Sequence, residues 1–386
     1  MMRRSLGWWV AGLALAALML AVLRTPPNPP VLRPNTQVAV SAALGGDDHA
    51  GYQRAEHPRP FQFPADHGPH PEFRNEWWYV TGNLVDASGR AFGYQWTLFR
   101  IALAPTAPVM DSPWRSHQLY MAHLALTDVA GQRHHHFERF SRGALGLAGA
   151  QATPFRVWLE DWTLSGAQTD FFPLRLQARE HDIGLDLTLN AGKPIVLQGD
   201  RGLSQKNAGP GNASYYYSYT RLPTQGSIRI GKQMFQVSGA SWLDREWSTS
   251  ALGPEQSGWD WFALQLDDGR ELMLYRLRRK DGSADAFSAG ILVDAAGQAQ
   301  PLRWEELTLQ PLGDWISPHT GDRYPASWRL RLPALQLDLS VTPKIAAQEL
   351  RLSVRYWEGA VTVRGQSGGQ PVSGQGYLEM TRYAPR

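Results

Sequence analysis

Residues 237–244 read VSGASWLD and residues 372–379 read VSGQGYLE, so the pattern Val-Ser-Gly-x-x-aromatic-Leu-acid occurs twice, 135 residues apart. A chain that repeats itself at that distance is constrained to fold as two like units. The repetition reaches the other end of each half. NEWWYVTGNLVDASGRAFGYQWTLFR (75–100) and SGWDWFALQLDDGRELMLYRLR (257–278) each carry paired tryptophans, Trp77/Trp78 and Trp259/Trp261. Each continues through an Asp-containing turn closing in Gly-Arg to a strand ending in Arg. GSIRI (226–230) and GAVTV (359–363) sit at similar offsets before the two VSG segments. First and last strands of a unit commonly pair, which removes exposed edges. The VSG segments are therefore expected as closing strands of two diverged copies of one β-barrel or β-sandwich unit.

Hydrophobic periodicity agrees. Phe92, Tyr94, Trp96 and Leu98 alternate with Gly93, Gln95 and Thr97, and Leu335, Leu337, Leu339 and Val341 alternate with Gln336, Asp338 and Ser340. ELRLSVRYW sets Leu350, Leu352, Val354 and Tyr356 on one side. A period of two over such runs predicts half-buried antiparallel strands. The segments 86–89, 267–269 and 295–297 punctuate them as turns. No long stretch of the body reads as helical, so the fold class is all-β. The expected division is a leader over 1–24, a flexible linker over 25–50, and domains over 51–250 and 251–386, with STSALGPEQ (248–256) as the link.

Charge and cysteine content exclude several functions. Outside Arg3, Arg4 and Arg24, basic and acidic residues balance at 35 each, which argues against nucleic acid as a partner. There is no cysteine, hence no disulfide, thiolate nucleophile or Cys-ligated metal. Arg3 and Arg4 precede an uncharged run from Leu6 to Leu23, followed by Arg24. That is a positive-inside leader just long enough to span a bilayer. The lack of a clean small-x-small cleavage site favours an anchor over a cleaved signal peptide. The body is thus expected outside the cytoplasm, in a periplasmic location, anchored to the inner membrane by residues 6–23 or released after cleavage.

The candidate chemistry lies where tryptophan meets charge. The chain has 16 Trp against 13 Tyr and 13 Phe. Most of them would fill two cores, yet several flank acids: Glu76-Trp77-Trp78, Trp242-Leu243-Asp244-Arg245-Glu246-Trp247 and Trp259-Asp260-Trp261. In a strand, Asp244 and Glu246 share the face of Trp242, while Arg245 and Trp247 point the other way. Two readings follow. One is a structural salt bridge from Arg245 to Glu76 or Asp260 that fixes inter-lobe geometry; the other is a polar group inside an aromatic cavity between the lobes. Tyr215, Tyr217 and Tyr219 share a strand face, as packing or as pocket. The loop 199–212 before them, with Lys206, is long enough to line a mouth. His134, His135 and His136 read as a solvated hairpin and no spacing marks a metal site. GQSGG (365–369) lies between strands, so it is a hairpin turn rather than a nucleophile elbow. No cofactor fingerprint is present.

Together, NEWWYVTGNL, GLSQK…NASYYYSYTRL, SWLDREW, GWDWFALQLDDGRELMLYRLR and GQGYLEMTRY resemble the AttH-like / carotenoid 1,2-hydratase (CrtC-type) superfamily over about residues 60–386. The resemblance implies two tandem lipocalin-like (calycin-type) antiparallel barrels with a lipid- or isoprenoid-like ligand in or between them. It also implies kinship with exported proteins labelled secreted hydrolases that are found alongside ABC transporters, and with enzymes acting on terpenoid chains. In hydratase chemistry an acid protonates an isoprene double bond, aromatic faces stabilise the cation, and water adds. The motif assigns cation stabilisation to Trp247, with Tyr275 a looser match. Asp244-Arg245-Glu246-Trp247 stands where the hydratase branch has Asp-His-x-Trp. Arginine is a poor proton donor, so the acid role moves to Asp244, Glu246 or Asp260. A Tyr-x-Asp pattern is also absent, since Arg276-Leu277 follows Tyr275. The expected ligand contacts are Glu76, Trp77, Arg245, Trp247, Trp259, Trp261, Tyr217 and Tyr275. The expected function is a membrane-tethered binder of a hydrophobic ligand. Its alternatives are a hydro-lyase or hydrolase, and an accessory protein of an ABC transporter permease.

Overall fold

The computed structural model describes residues 49–107, 109, 111–250, 252–381 and 383. The leader and nearly all of the linker lie outside the described residues; no helix among those described is long and apolar enough to cross a membrane. Among the described residues, regular structure is almost wholly strand, with three short 3-10 turns. The first sheet comprises β1 (Asn75–Asp86), β2 (Ala91–Ala102), β3 (Gln118–Asp128), β4 (Arg133–Arg142), β5 (Ala148–Ala152), β6 (Phe155–Leu159), β7 (Trp162–Ser165), β8 (Leu174–Glu180), β9 (Ile183–Leu189), β10 (Val196–Leu197), β11 (Leu203–Gln205), β12 (Ala213–Ile230) and β13 (Gln233–Ser248). The second comprises β14 (Gln256–Leu266), β15 (Glu271–Arg279), β16 (Ala289–Val293), β17 (Ala299–Arg303), β18 (Thr308–Ile316), β19 (Arg323–Leu332), β20 (Leu337–Pro343), β21 (Glu349–Arg351), β22 (Arg355–Ser367) and β23 (Gln370–Thr381).

The sheet orders are β4-β3-β2-β1-β13-β12-β9-β8-β7-β6-β5 and β17-β16-β15-β14-β23-β22-β20-β19-β18. In each half the opening strand pairs with the VSG strand: β1 with β13, β14 with β23. That pairing joins two runs of antiparallel hairpins into one continuous sheet. Each sheet curls around its own core. One core holds Trp78, Trp96 and Trp162; the other holds Trp328, Trp357 and Phe262.

Register refines the repeat. Tyr79 lies opposite Asp244, and Trp261 lies opposite Glu379, so Asp244 and Glu379 are equivalent and Tyr79 matches Trp261. Trp77 then matches Trp259, while Trp78 points into the first core where the second half has Asp260. GSIRI and GAVTV lie on the equivalent strands β12 and β22 but not at equivalent positions. Gly226 pairs with Val237, whereas Gly365 pairs with Val372, because the first hairpin runs further before it turns. The second turns at Gly368-Gly369, both at positive φ as a two-residue hairpin requires. ELRLSVRYW is not one strand, since Leu350 and Tyr356 face each other across a β21–β22 hairpin. Leu335 belongs to the 3-10 turn Pro333–Leu335, because Pro333 cannot donate to a ladder.

The outer faces of β1, β2, β12 and β13 pack against those of β14, β15, β22 and β23. One seam cluster joins Tyr79, Tyr216 and Trp242 to Trp261, Met273 and Tyr377; another joins Phe99 and Met121 to Val354 and Tyr356. Polar ties add direction. Asn83 Nδ2 donates to Gly376 O at 2.9 Å, Gln265 Nε2 to Thr220 O at 2.7 Å, and Lys193 Nζ to buried Glu271 at 2.7 Å. The two faces come close at Gly93, where a Cβ would lie 2.4 Å from Ala360 Cβ. Gly93→Ala is expected to lower stability by roughly 1–3 kcal/mol through overpacking. Adding Ala360→Gly is expected to restore most of it, as read by denaturant unfolding of both variants.

Candidate functional site

Where the seam does not close, it leaves a cavity of about 160 Å³. Phe99, Met121, Leu252, Trp259, Leu277 and Val354 line it near the strand ends, and Tyr79, Asp244, Trp261, Glu358 and Glu379 line its floor further along the strands. The alternation of side chains across each strand creates this arrangement. Even positions of β1 and odd positions of β13 fill the first core, so Trp77, Tyr79, Asp244 and Glu246 must face the second lobe.

Four carboxyl groups reach this space. Asp244 accepts from Tyr216 OH at 2.7 Å, from Trp242 Nε1 at 2.6 Å and from Ser218 Oγ. Burial nevertheless pushes it up to about 7, against those donors and with help from Glu246. Desolvation also pushes Glu379 up to about 8, against a hydrogen bond from Trp259 and with help from Glu246, Asp244 and Asp260. Glu358 is held well above the carboxylate range by burial and by Glu379. Tyr79, from the other lobe, donates to its Oε1. Glu246 accepts from Ser214 Oγ and faces Lys206 Nζ at 3.4 Å. Burial alone would lower Lys206, but Glu246 and the neighbouring acid Asp244 hold it above its ordinary value. Its Nζ stands 4.3 Å from the Tyr275 ring centroid. The site therefore combines aromatic walls, carboxyls that carry a proton near neutrality, and the half-buried cation of Lys206.

Six sequence candidates meet here: Trp77, Asp244, Glu246, Trp259, Trp261 and Tyr275. Five do not. Glu76, Arg245, Trp247 and Tyr217 lie on the opposite face, inside the first lobe. Glu76 is fully buried, bound by Arg245, Arg100 and the His70 N–H at 3.0 Å. Those partners hold it below the usual carboxylate range despite burial, which by itself raises it. The Arg245–Glu76 bridge thus exists, but both residues belong to the first sheet, so it braces that lobe rather than inter-lobe geometry. Trp247 stacks on His70 at 3.8 Å and cannot stabilise a cation in the cavity. Tyr217 bonds His67 Nδ1 at 2.6 Å; its neighbour Tyr216 faces the seam. Asp260 points into the second lobe and pairs with Arg276 at 2.7 Å and with Arg278. His134–His136 form part of β4 and are half-buried rather than a turn. No group of three or more His, Asp or Glu among the described residues is placed to hold a metal.

Sequence reasoning missed Glu358, Glu379, Tyr79, Tyr216 and Tyr356. A signal for Glu379 was present, since it is the acid that ends the second VSG segment and the counterpart of Asp244.

The sequence profile of the AttH-like family matches residues 54–383. The chain belongs to that family. A crystal structure of a protein assigned as AttH, from Nitrosomonas europaea, is 36% identical with a TM-score of 0.75, covering 86% of this chain and all of that one. Kievitone hydratase from Nectria haematococca is 16% identical at TM-score 0.64, covering 87% and 97%. CghA is 12% identical at TM-score 0.55, covering 89% and 97%. No match was found among curated proteins. These likenesses fix the AttH-like architecture as two lipocalin-like barrels in tandem.

Two outcomes follow. Arg245→Met leaves Glu76 buried with one fewer cation, and is expected to cost about 3–5 kcal/mol in urea unfolding. Glu379 holds a proton when folded that the unfolded chain releases above its ordinary value of 4.5. Stability should therefore fall as pH rises from about 4.5 to about 8. Glu379→Gln should flatten that slope in unfolding midpoints measured at pH 5 and pH 8.

Proposed function

We propose that the inter-lobe cavity takes the unsaturated, apolar end of a lipid- or isoprenoid-like molecule and adds water across its double bond, or removes it in reverse. One observation carries this reading: Glu379 and Asp244, with pKa values pushed to about 8 and about 7, line one cavity together with tryptophan and tyrosine rings. A carboxyl that keeps its proton at pH 7 in an apolar site is a competent general acid. Protonation of the alkene by Glu379 leaves a tertiary cation, and the neighbouring rings of Trp77, Trp259 and Trp261 offer their π-systems to it. Water closes the reaction by attacking that carbon.

Size supports the end of a chain rather than a whole one. A cavity of about 160 Å³ is close to the ~150 Å³ that encloses benzene in an engineered core. One isoprene unit fits, and the rest of a longer molecule leaves along Phe99, Met121 and Leu252. The family likeness to a structure named as a hydratase agrees with this chemistry at the level of fold alone. The Arg3-Arg4 leader supports an extracytoplasmic site of action.

The test is product analysis. The full chain in detergent is incubated with lycopene or geranylgeraniol in isotope-labelled water, and hydrated product is followed by mass spectrometry. Wild type is expected to incorporate label. Asp244→Asn and Glu379→Gln are expected to lose about 100-fold or more in rate while still retaining the apolar probe. Equal rates in all three would contradict the assignment of the acids.

A further inference from the structure

Water addition needs a base as well as an acid, and the carboxyls on the floor are placed for the acid half. A different set of groups stands at the cavity edge. Tyr356 lines the cavity from β22, two residues from Glu358 on the same face. Its hydroxyl lies 2.7 Å from Nδ1 of His123 on β3. His123 Nε2 in turn lies 3.1 Å from Glu138 Oε1 on β4, the residue directly opposite it in the ladder. Ser353 fixes that carboxylate from the second lobe, Oγ to Oε1 at 2.6 Å and N–H to Oε2 at 3.2 Å. The His123 side chain is 1% exposed and that of Glu138 is 14% exposed. The line therefore runs from the cavity wall through a buried imidazole to a carboxylate at the molecular edge.

The geometry sets the tautomer. Glu138, held below its ordinary value by His123 and Ser353 despite burial, is an acceptor. Nε2 must then carry the imidazole proton, leaving Nδ1 to accept from the Tyr356 hydroxyl. Tyr356 is also hydrogen-bonded to Glu358, whose proton takes one lone pair of the phenolic oxygen and leaves the other for a water in the cavity.

We propose that Tyr356, His123 and Glu138 form a proton relay assembled from both lobes that serves as the general base for water addition. This rests on the acid–base reading of the cavity given above. As the oxygen of water bonds to the cationic carbon, its O–H bond breaks and that proton passes to Tyr356 Oη. The original hydroxyl proton of Tyr356 moves to His123 Nδ1, and Glu138 balances the imidazolium. One proton leaves water, one arrives on imidazole, and the tyrosine is regenerated. Return of the Nδ1 proton through Tyr356 and a cavity water to the Glu379 carboxylate, which gave its own proton to the alkene, restores both the acid and the Nε2-protonated imidazole. Around His123 the titratable neighbours are Glu138 and His136 on β4, with Tyr356 and Glu358 on β22.

Two measurements on the full chain decide the matter. Nitrogen-15 spectra of histidine-labelled protein, with His123 assigned by its loss in His123→Gln, are expected to show a neutral ring protonated at Nε2. Glu138→Gln is expected to disturb that tautomer. A proton resident on Nδ1 would overturn the relay. In the labelled-water assay, Tyr356→Phe keeps the ring and its packing. It is expected to lower kcat about 100-fold at nearly constant KM. Wild-type turnover with Tyr356→Phe and His123→Gln both within twofold of it would overturn the relay alone. A wild type that hydrates neither probe would overturn the acid–base reading and the relay with it.

Discussion

The packing of one lobe's outer sheet face against the other's buries Asp244, Glu246 and Glu358 beside a half-buried Glu379, and the rest of the site follows from that crowding. Taking a carboxylate out of water costs several kcal/mol unless it is paired. Among the described residues, Glu246 is the one of the four with an ion-pair partner, Lys206 at 3.4 Å. The others answer in the cheaper way, by holding a proton. Elsewhere buried acids are satisfied by arginine: Glu76 by Arg100 and Arg245, Asp260 by Arg276 and Arg278. The chain therefore has the means to neutralise buried carboxylates and does not use it for three of the acids in the seam.

Duplication explains how the acids come to line one cavity. Each lobe presents the same row of positions, running Ser218, Asp244, Tyr79 and Thr97 in the first and Glu358, Glu379, Trp261 and Tyr275 in the second. Placing two like sheets face to face brings the two copies of the final acid into one space. The rows then diverged. Where the first lobe has Ser218 as a donor to Asp244, the second has a further acid, and Tyr79 reaches across to bond it. Gly93 against Ala360 sets how closely the faces approach below the cavity floor.

The repeat and the period of two made the paired β lobes legible, along with the face shared by Asp244 and Glu246. The same alternation set Trp247 opposite Asp244, and the motif resemblance that assigned it a role at the ligand runs against it. Tyr217 and Tyr216 were harder to separate. The central strands are buried on both faces, one toward a lobe core and one toward the seam, so β1 and β2 show almost no exposed side. Which face of β12 meets the second lobe depends on the docking of the lobes, which no local pattern encodes. Tyr356, His123 and Glu138 come from three strands more than 200 residues apart at the extremes, and only the tertiary fold brings them together.

The account stands on seam carboxyls that remain protonated at neutral pH. Carbon-13 NMR titration of the glutamate and aspartate carboxyls, with Glu379→Gln and Asp244→Asn as assignments, measures this directly. Midpoints near 8 for Glu379 and near 7 for Asp244 agree with it. Two carboxyls that titrate in the ordinary range around pH 4 would contradict it, and would leave an aromatic cleft with no acid to offer.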